Sequence, residues 1–199
     1  PEIHWSLGGK NVLVTQWIDG TALSDDAILS LPQEARTDIA RKVMQSFLAC
    51  SFDYGVFHAD MHEGNMIIGD DGTLWLIDFG ILGRLAPREQ RFHAEILYGF
   101  LMRDYQRIAE VHFEAGYVPA HHTVEDFASA LRSVGEPIFG QTAENVAMSK
   151  VLVQLFEITD IFDMEMQPQL IMLQKTMMQT EGVCRRLDNN FDMWEISRP

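Results

Sequence analysis

The sequence predicts a mainly α-helical chain (α+β) carrying one small β-hairpin. Three observations predict it. From residue 87 onward apolar residues recur at helical spacing in segments opened by Pro or Thr and closed by Gly. Ahead of them Ile39, Val43, Phe47 and Cys50 make a single helical stripe. Between these regions Met66-Ile67-Ile68 and Leu74-Trp75-Leu76-Ile77 flank Asp70-Asp71-Gly72, a strong turn signal between two short strands. A chain of 199 residues with 47% hydrophobic content can bury one sizeable core. No internal repeat, low-complexity stretch or linker divides it, so it reads as one domain: residues 1–30 a strand and linker, 31–86 a compact core, 87–199 a helical region.

In chain order, Lys10-Asn11 reads as a turn and Val12 to Ile18 as a buried strand ending at Asp19-Gly20. A first helix is expected over about 32–53, with Ser30 as its cap, Pro32 in its first turn and Gly55 closing it. After the hairpin, Ala86-Pro87-Arg88-Glu89 reads as a helix start. Helices are expected over 87–102 and 104–115, broken near Arg103-Asp104 and closed by Gly116-Tyr117-Val118-Pro119. Thr123 with Asp126 is a capping-box-like start for a helix ending near Gly135. Met148, Val151, Leu152, Leu155, Phe156 and Ile158 mark a helix over about 143–162, and Pro168 opens another to about 187 with Leu170, Ile171, Leu173, Met177 and Met178.

The net charge of −14 and a pI near 4.7 argue against a nucleic-acid surface, which needs clustered Lys and Arg, and against adhesion to anionic lipid. Cys50 and Cys184 are far apart and lie in helical patterns, which reads as core thiols in a reducing compartment. No run of about 18 apolar residues spans a membrane and no signal peptide opens the chain. The first residue is Pro1, so the chain reads as a piece of a longer protein. The eleven Met suggest either a soft binding groove or, at their helical spacing, core packing. His121-His122 is a loop pair with no third ligand in view.

The chemistry concentrates in Phe57 to Leu82. Asp60 is followed five positions on by Asn65, then by the hairpin, then by Asp78-Phe79-Gly80. Phosphoryl transfer needs Mg²⁺ to neutralise phosphate charge and an acceptor held in line. Mg²⁺ takes hard oxygen ligands, few of them from protein. Asn65 and Asp78 can supply those oxygens, since folding the hairpin brings them to one end, and Asp60 is left to orient an acceptor hydroxyl or water and receive its proton. A rival reading is His58-x-Asp60-x-His62 as a zinc set with an open position for activated water, a metal-dependent hydrolase. It leaves Asn65 and the second motif unexplained, and His58 then reads as a packed or hydrogen-bonded prop of the loop.

His58-Ala59-Asp60 with Asn65 resembles the catalytic loop of protein kinases, and Asp78-Phe79-Gly80 resembles their metal-binding motif, in the right order. The wording HADMHEGN, with RFHAEILYGFLMRDY, VHFEAGYVP and LQKTMMQTEGVCRRLD downstream, resembles the UbiB family of atypical kinase-like proteins over essentially the whole chain. The resemblance implies the C-terminal lobe of a kinase-like fold, with ATP and Mg²⁺ bound between it and an upstream lobe that would carry the nucleotide-covering loop, a phosphate-pairing Lys with its Glu, and a KxGQ-containing extension. No Gly-rich phosphate loop occurs in residues 1–30; Gly8-Gly9 lacks the rest of one.

It further implies that backbone groups near Trp17 and Ile18 meet the adenine and that His62 lies near the phosphates. Ordinary kinases place a long activation segment before Ala-Pro-Glu; here Ala86-Pro87-Arg88-Glu89 follows almost at once, which argues against conventional peptide substrates. The family implies a role in isoprenoid-quinone (ubiquinone) biosynthesis, as an ATPase or a small-molecule or lipid-directed kinase. Isoprenoid lipid or quinone-biosynthesis proteins would be its partners, and the parent would sit at the cytoplasmic face of the bacterial inner membrane through segments absent here. A non-catalytic nucleotide sensor and a pure interaction scaffold for quinone-pathway proteins stay open beside it.

Overall fold

A computed structural model of the chain describes residues 1–139, 148–164 and 168–192. Its centre is α1 (Gln33–Leu48), which continues into a wider single turn over Ala49–Asp53 and ends at Gly55 in the left-handed conformation. Ala40, Val43, Met44 and Phe47 are fully or almost fully buried on it. They follow the predicted period, widened by Ala40 and Met44 on the adjacent face. Ser30 does not cap α1: its hydroxyl donates to the Ala27 carbonyl at 2.8 Å inside a preceding turn, and Pro32 takes the capping position with no side-chain bond.

Two small antiparallel sheets lie against α1. In the first, β1 (Gly20–Ala22) pairs with β3 (Met66–Gly69), which pairs with β4 (Leu74–Leu76); Met66 faces Leu76 and Ile68 faces Leu74. The hairpin is thus as expected, with β1 as an added third strand. The second sheet, β2 (Val56–His58) with β5 (Leu82–Arg84), was not expected. The buried strand expected over Val12 to Ile18 is corrected. Residues 12–18 form no named strand and meet the rest of the N-terminal segment through isolated bridges, Ile3 with Thr15 and Gly9 with Val12, and a bond from the Glu2 N–H to the Gln16 side chain. Val12, Leu13 and Trp17 are exposed. An apolar run becomes a buried strand only where a core covers it, and this one pairs with its own neighbours on the surface.

The helices α2 (Pro87–Met102), α3 (Tyr105–Ala115), α4 (Val124–Phe139), α5 (Met148–Ile161) and α6 (Pro168–Leu187) follow, each of α2 to α4 packed on the next and α4 on α5. Local chemistry sets the breaks. Pro87 occupies the first turn of α2 while the Glu89 carboxylate accepts the Ala86 N–H at 2.7 Å. Arg103 and Gly116 end α2 and α3 in the left-handed conformation. Thr123 accepts the Asp126 N–H and donates to its carboxylate, opening α4. That helix does not stop near Gly135. A Cβ there would sit 2.4 Å from the Tyr105 ring, so the glycine serves the close approach of α3 and α4 rather than an ending. The helix expected from 143 starts, among the described residues, at Met148; residues 143–147 and the side chains of Met148, Val151, Leu152 and Leu155 lie outside them.

The last helix, α6, returns to α1. Ala40 leaves room for Cys184, whose Sγ donates to the Ala40 carbonyl at 3.3 Å, and burial pushes that thiol's pKa well up. Both cysteines are free, as expected. Met44, Met61 and Met66 are core residues, whereas Met102 is exposed.

Between α2, α3 and α4, the His112 ring lies against Phe127 and Tyr117 at centroid distances of 5.0 and 6.1 Å, and its Nδ1 meets the Ile108 carbonyl at 2.7 Å. Burial, reinforced by nearby His93, pushes its pKa down to about 4 from an ordinary 6.5; the Ile108 bond opposes the shift. The unfolded chain therefore binds more protons between these values. The stability that neutral His112 contributes is complete above pH 6.5 and lost as pH falls toward about 4. Thermal melts across this window should show a shallower loss of stability in His112→Phe than in the parent chain, and equal slopes would contradict the account.

Candidate functional site

Two loops meet at the site, each held at both ends by strands. The first, residues 59–65, joins β2 to β3; the second, residues 77–81, joins β4 to β5. Because β3 pairs with β4 and β2 with β5, the loops are laid side by side. Backbone bonds close the seam: the Ile77 N–H donates to the Asn65 carbonyl and the Ala59 N–H to the Ile81 carbonyl, each at 3.0 Å. Beneath β5, Gly83 lies over the Phe57 ring, where a Cβ would sit 2.0 Å from its nearest atom. Phe57 in turn meets Phe47 of α1 edge-on, which seats the second sheet on the core.

His58 ties the loops a third time. Its buried ring accepts the Asp60 N–H at Nδ1 (3.1 Å), so the proton sits on Nε2, which donates to the Ile77 carbonyl at 2.9 Å. The ring also lies 5.1 Å from that of Phe79. Both nitrogens are engaged, which removes His58 from any zinc set. His58, Asp60 and His62 do not form a converging triad among the described residues, and the hydrolase reading is withdrawn. The expectation that His58 props the loop holds.

The predicted site residues fall as follows. Asn65 is buried and its Nδ2 donates to the Asp60 carbonyl at 3.1 Å, which turns its amide oxygen away from that carbonyl. Asp78 follows Ile77 directly, is exposed, and has φ 56°, a left-handed conformation that Asp tolerates better than most residues. The Asn65 amide oxygen and the carboxylate of Asp78, one residue beyond the backbone partner of Asn65, are donor types suited to a hard divalent cation. Asp60 is half-buried at the mouth of the first loop. His62 accepts the Gly64 N–H at Nδ1 (3.0 Å) and faces the Asp60 carboxylate with Nε2 at 3.8 Å. Trp17 is 83% exposed and Ile18 half-buried in the N-terminal segment, which leads into β1 and through it to β3. Behind Phe79, itself 51% exposed, an apolar cavity of about 300 Å³ opens between Phe47, Tyr54, Val56, Met61 and Leu76.

Sequence reasoning missed how the C-terminal helix holds this site. The Arg186 guanidinium donates to the Leu23 carbonyl at 2.5 Å and pairs with Glu63, in the first loop, at 3.0 Å. Two residues on, Asp188 accepts from Thr37 of α1 at 2.7 Å. The only signal for this was the phrase TEGVCRRLD, a basic pair beside a buried stripe at a helix end, which by itself reads as a dipole-favouring terminus.

A lobe with a catalytic-type Asp, an Asn five residues later and Asp-Phe-Gly after a hairpin is kinase-like. Comparison with known proteins agrees. The model of the ABC1 atypical kinase-like domain matches residues 1–112 and that of the UbiB helical domain matches residues 131–192. Curated relatives include proteins named probable protein kinase UbiB from Pseudomonas putida (strain W619), 38% identical over 206 residues, and from Cellvibrio japonicus (strain Ueda107), 36% identical over 203 residues. All of this chain is covered in both, but only 38% and 37% of the relatives, so the chain spans well under half their length. The solved structure of an Rv3197–erythromycin complex from Mycobacterium tuberculosis shares the fold at a TM-score of 0.60 and 20% identity, covering 89% of this chain and 46% of that one. The chain belongs to the UbiB family of ABC1 atypical kinase-like proteins.

Replacing Arg186 with Met leaves the Leu23 carbonyl and Glu63 without their cation. Charge-assisted bonds of this kind, partly exposed, contribute about 1–2 kcal/mol. A lowered melting temperature with faster amide exchange at residues 59–65 is expected, and unchanged exchange there would show that α6 does not hold the loop.

Proposed function

We infer that the protein containing this chain binds ATP with Mg²⁺ at the paired loops and transfers or hydrolyses its terminal phosphate in support of ubiquinone biosynthesis. The observation that supports the reading is the Ile77 to Asn65 backbone bond, which pairs Asn65 with the residue directly before Asp78 while His58 fixes the backbone of Asp60. Asn65 and Asp78 hold the cation, which when bound neutralises phosphate charge. Asp60 orients the acceptor hydroxyl or water and takes its proton. His62 stands beside Asp60 at the phosphate end, and backbone near Trp17 and Ile18 meets the adenine.

Residues 81–86 alone separate Asp-Phe-Gly from α2, and β5 occupies half of them. No room is left for a peptide-docking activation segment, which favours a small-molecule or lipid acceptor, an isoprenoid among them, or hydrolysis. Parts that cover the nucleotide and exclude water belong to the upstream lobe implied by the family. The 199-residue chain alone should show little or no turnover.

The test is paired substitution in the intact protein. Asp60→Asn should lower ATP turnover by about 10²–10⁴-fold, the range of a lost general base, while nucleotide binding persists; Asp78→Asn should remove both. Rescue of a quinone-deficient strain by both variants would refute catalysis and leave an interaction scaffold. Rescue by Asp60→Asn alone would identify a nucleotide sensor.

A further inference from the structure

His121 and His122 lie in the loop between α3 and α4, and α5 brings Asp163 to them from about forty residues away. The Asp163 Oδ2 stands 3.3 Å from Nε2 of His121 and 3.4 Å from Nε2 of His122. One ligand atom from each residue falls within 4.8 Å of the other two, the single such group of His, Cys, Asp or Glu among the described residues. The earlier expectation that the pair has no third ligand is corrected. Both histidines fall between the residues matched by the two family models, whereas Asp163 lies within the helical one.

We propose that His121, His122 and Asp163 form a zinc site that staples the α3–α4 loop to the end of α5. The spacing is the first argument. Zinc–nitrogen and zinc–oxygen bonds of about 2.0–2.1 Å in a tetrahedron put neighbouring ligand atoms about 3.3–3.4 Å apart. Both His to Asp distances match that edge, whereas a charge-assisted hydrogen bond closes to about 2.7–2.9 Å. An octahedral cation with the same bond lengths would need a shorter edge of about 2.9 Å.

Ring placement is the second argument. The two imidazoles stand with centroids 4.1 Å apart and planes inclined at 41°, and the Nε2 atoms of both face the same Asp163 oxygen.

Rigidity is the third. Phe162 is buried, packs on Phe127 of α4 at 4.9 Å and on the His122 ring at 4.9 Å, so an apolar shell orients that ligand. Asp163 has φ 49°, a left-handed turn pinned by the Met164 N–H to the Thr159 carbonyl at 2.9 Å, which aims its side chain back at the loop. Side-chain exposures of 63%, 21% and 67% leave the fourth position open to water or to a ligand from outside.

The intact protein, stripped with EDTA and then given Zn²⁺, Co²⁺ or Mn²⁺ alone, tests this. One equivalent of zinc should survive desalting, Co²⁺ should give the intense visible band of a tetrahedral complex, and Mn²⁺ should bind weakly. His121→Gln and Asp163→Asn should each weaken zinc binding by more than about tenfold. Asn tolerates the left-handed backbone, so the melting temperature of Asp163→Asn in EDTA should match the parent and diverge only when zinc is added. No retained zinc, or zinc retained equally by both variants, would reduce the cluster to an ordinary His–Asp ion pair and overturn the proposal.

Discussion

The site depends on Ile77. Its N–H is given to Asn65 and its carbonyl receives the His58 ring, so the residue immediately before Asp78 is held from both sides by the loop that carries Asp60. A loop free at either end would lose its geometry to backbone entropy, about 1–2 kcal/mol for each residue that must be ordered. Here strand pairs clamp all four loop ends, and three-residue strands suffice because they only need to hold loops.

The helical region gives that clamp a foundation. Cys184 to Ala40, Asp188 to Thr37 and Arg186 to Leu23 join residues 144, 151 and 163 positions apart, so the end of α6 closes on both α1 and the turn that follows β1. Through Glu63 the same arginine touches the first loop. The helices after α2 are therefore coupled to the candidate chemistry by contact, which gives a physical route by which binding at the helical end would alter the loops.

What was readable in the sequence was what is local. Pro87, Gly116, the Thr123 and Asp126 pair and Pro168 each act within one turn, and the helices begin or end where they stand. The Asp70-Asp71-Gly72 turn makes the hairpin in the same way, with Asp71 accepting the Thr73 N–H at 2.9 Å. Pairing over distance was not readable. Val56–His58 carries no alternation long enough to announce a strand, and its partner Leu82–Arg84 lies beyond the hairpin. Val12 to Ile18 misled for the opposite reason: its composition is that of a strand, but no core reaches it. Gly135 looked like a helix end because a glycine's role as a packing gap depends on Tyr105, thirty residues away. In the site, Asp60, Asn65 and Asp78 were legible from residue chemistry and spacing, while the bond that unites them and the arginine behind them were not.

The central claim, that the paired loops make one magnesium-dependent nucleotide site, is tested most directly by thermal unfolding of the intact protein with ADP, with and without Mg²⁺, beside Asp78→Asn. Ligand that binds only the folded state at a hundredfold excess over Kd adds about 2.7 kcal/mol of stability. A rise in melting temperature that needs Mg²⁺ and disappears in Asp78→Asn is the predicted result. No rise, or an equal rise in the variant, would contradict it.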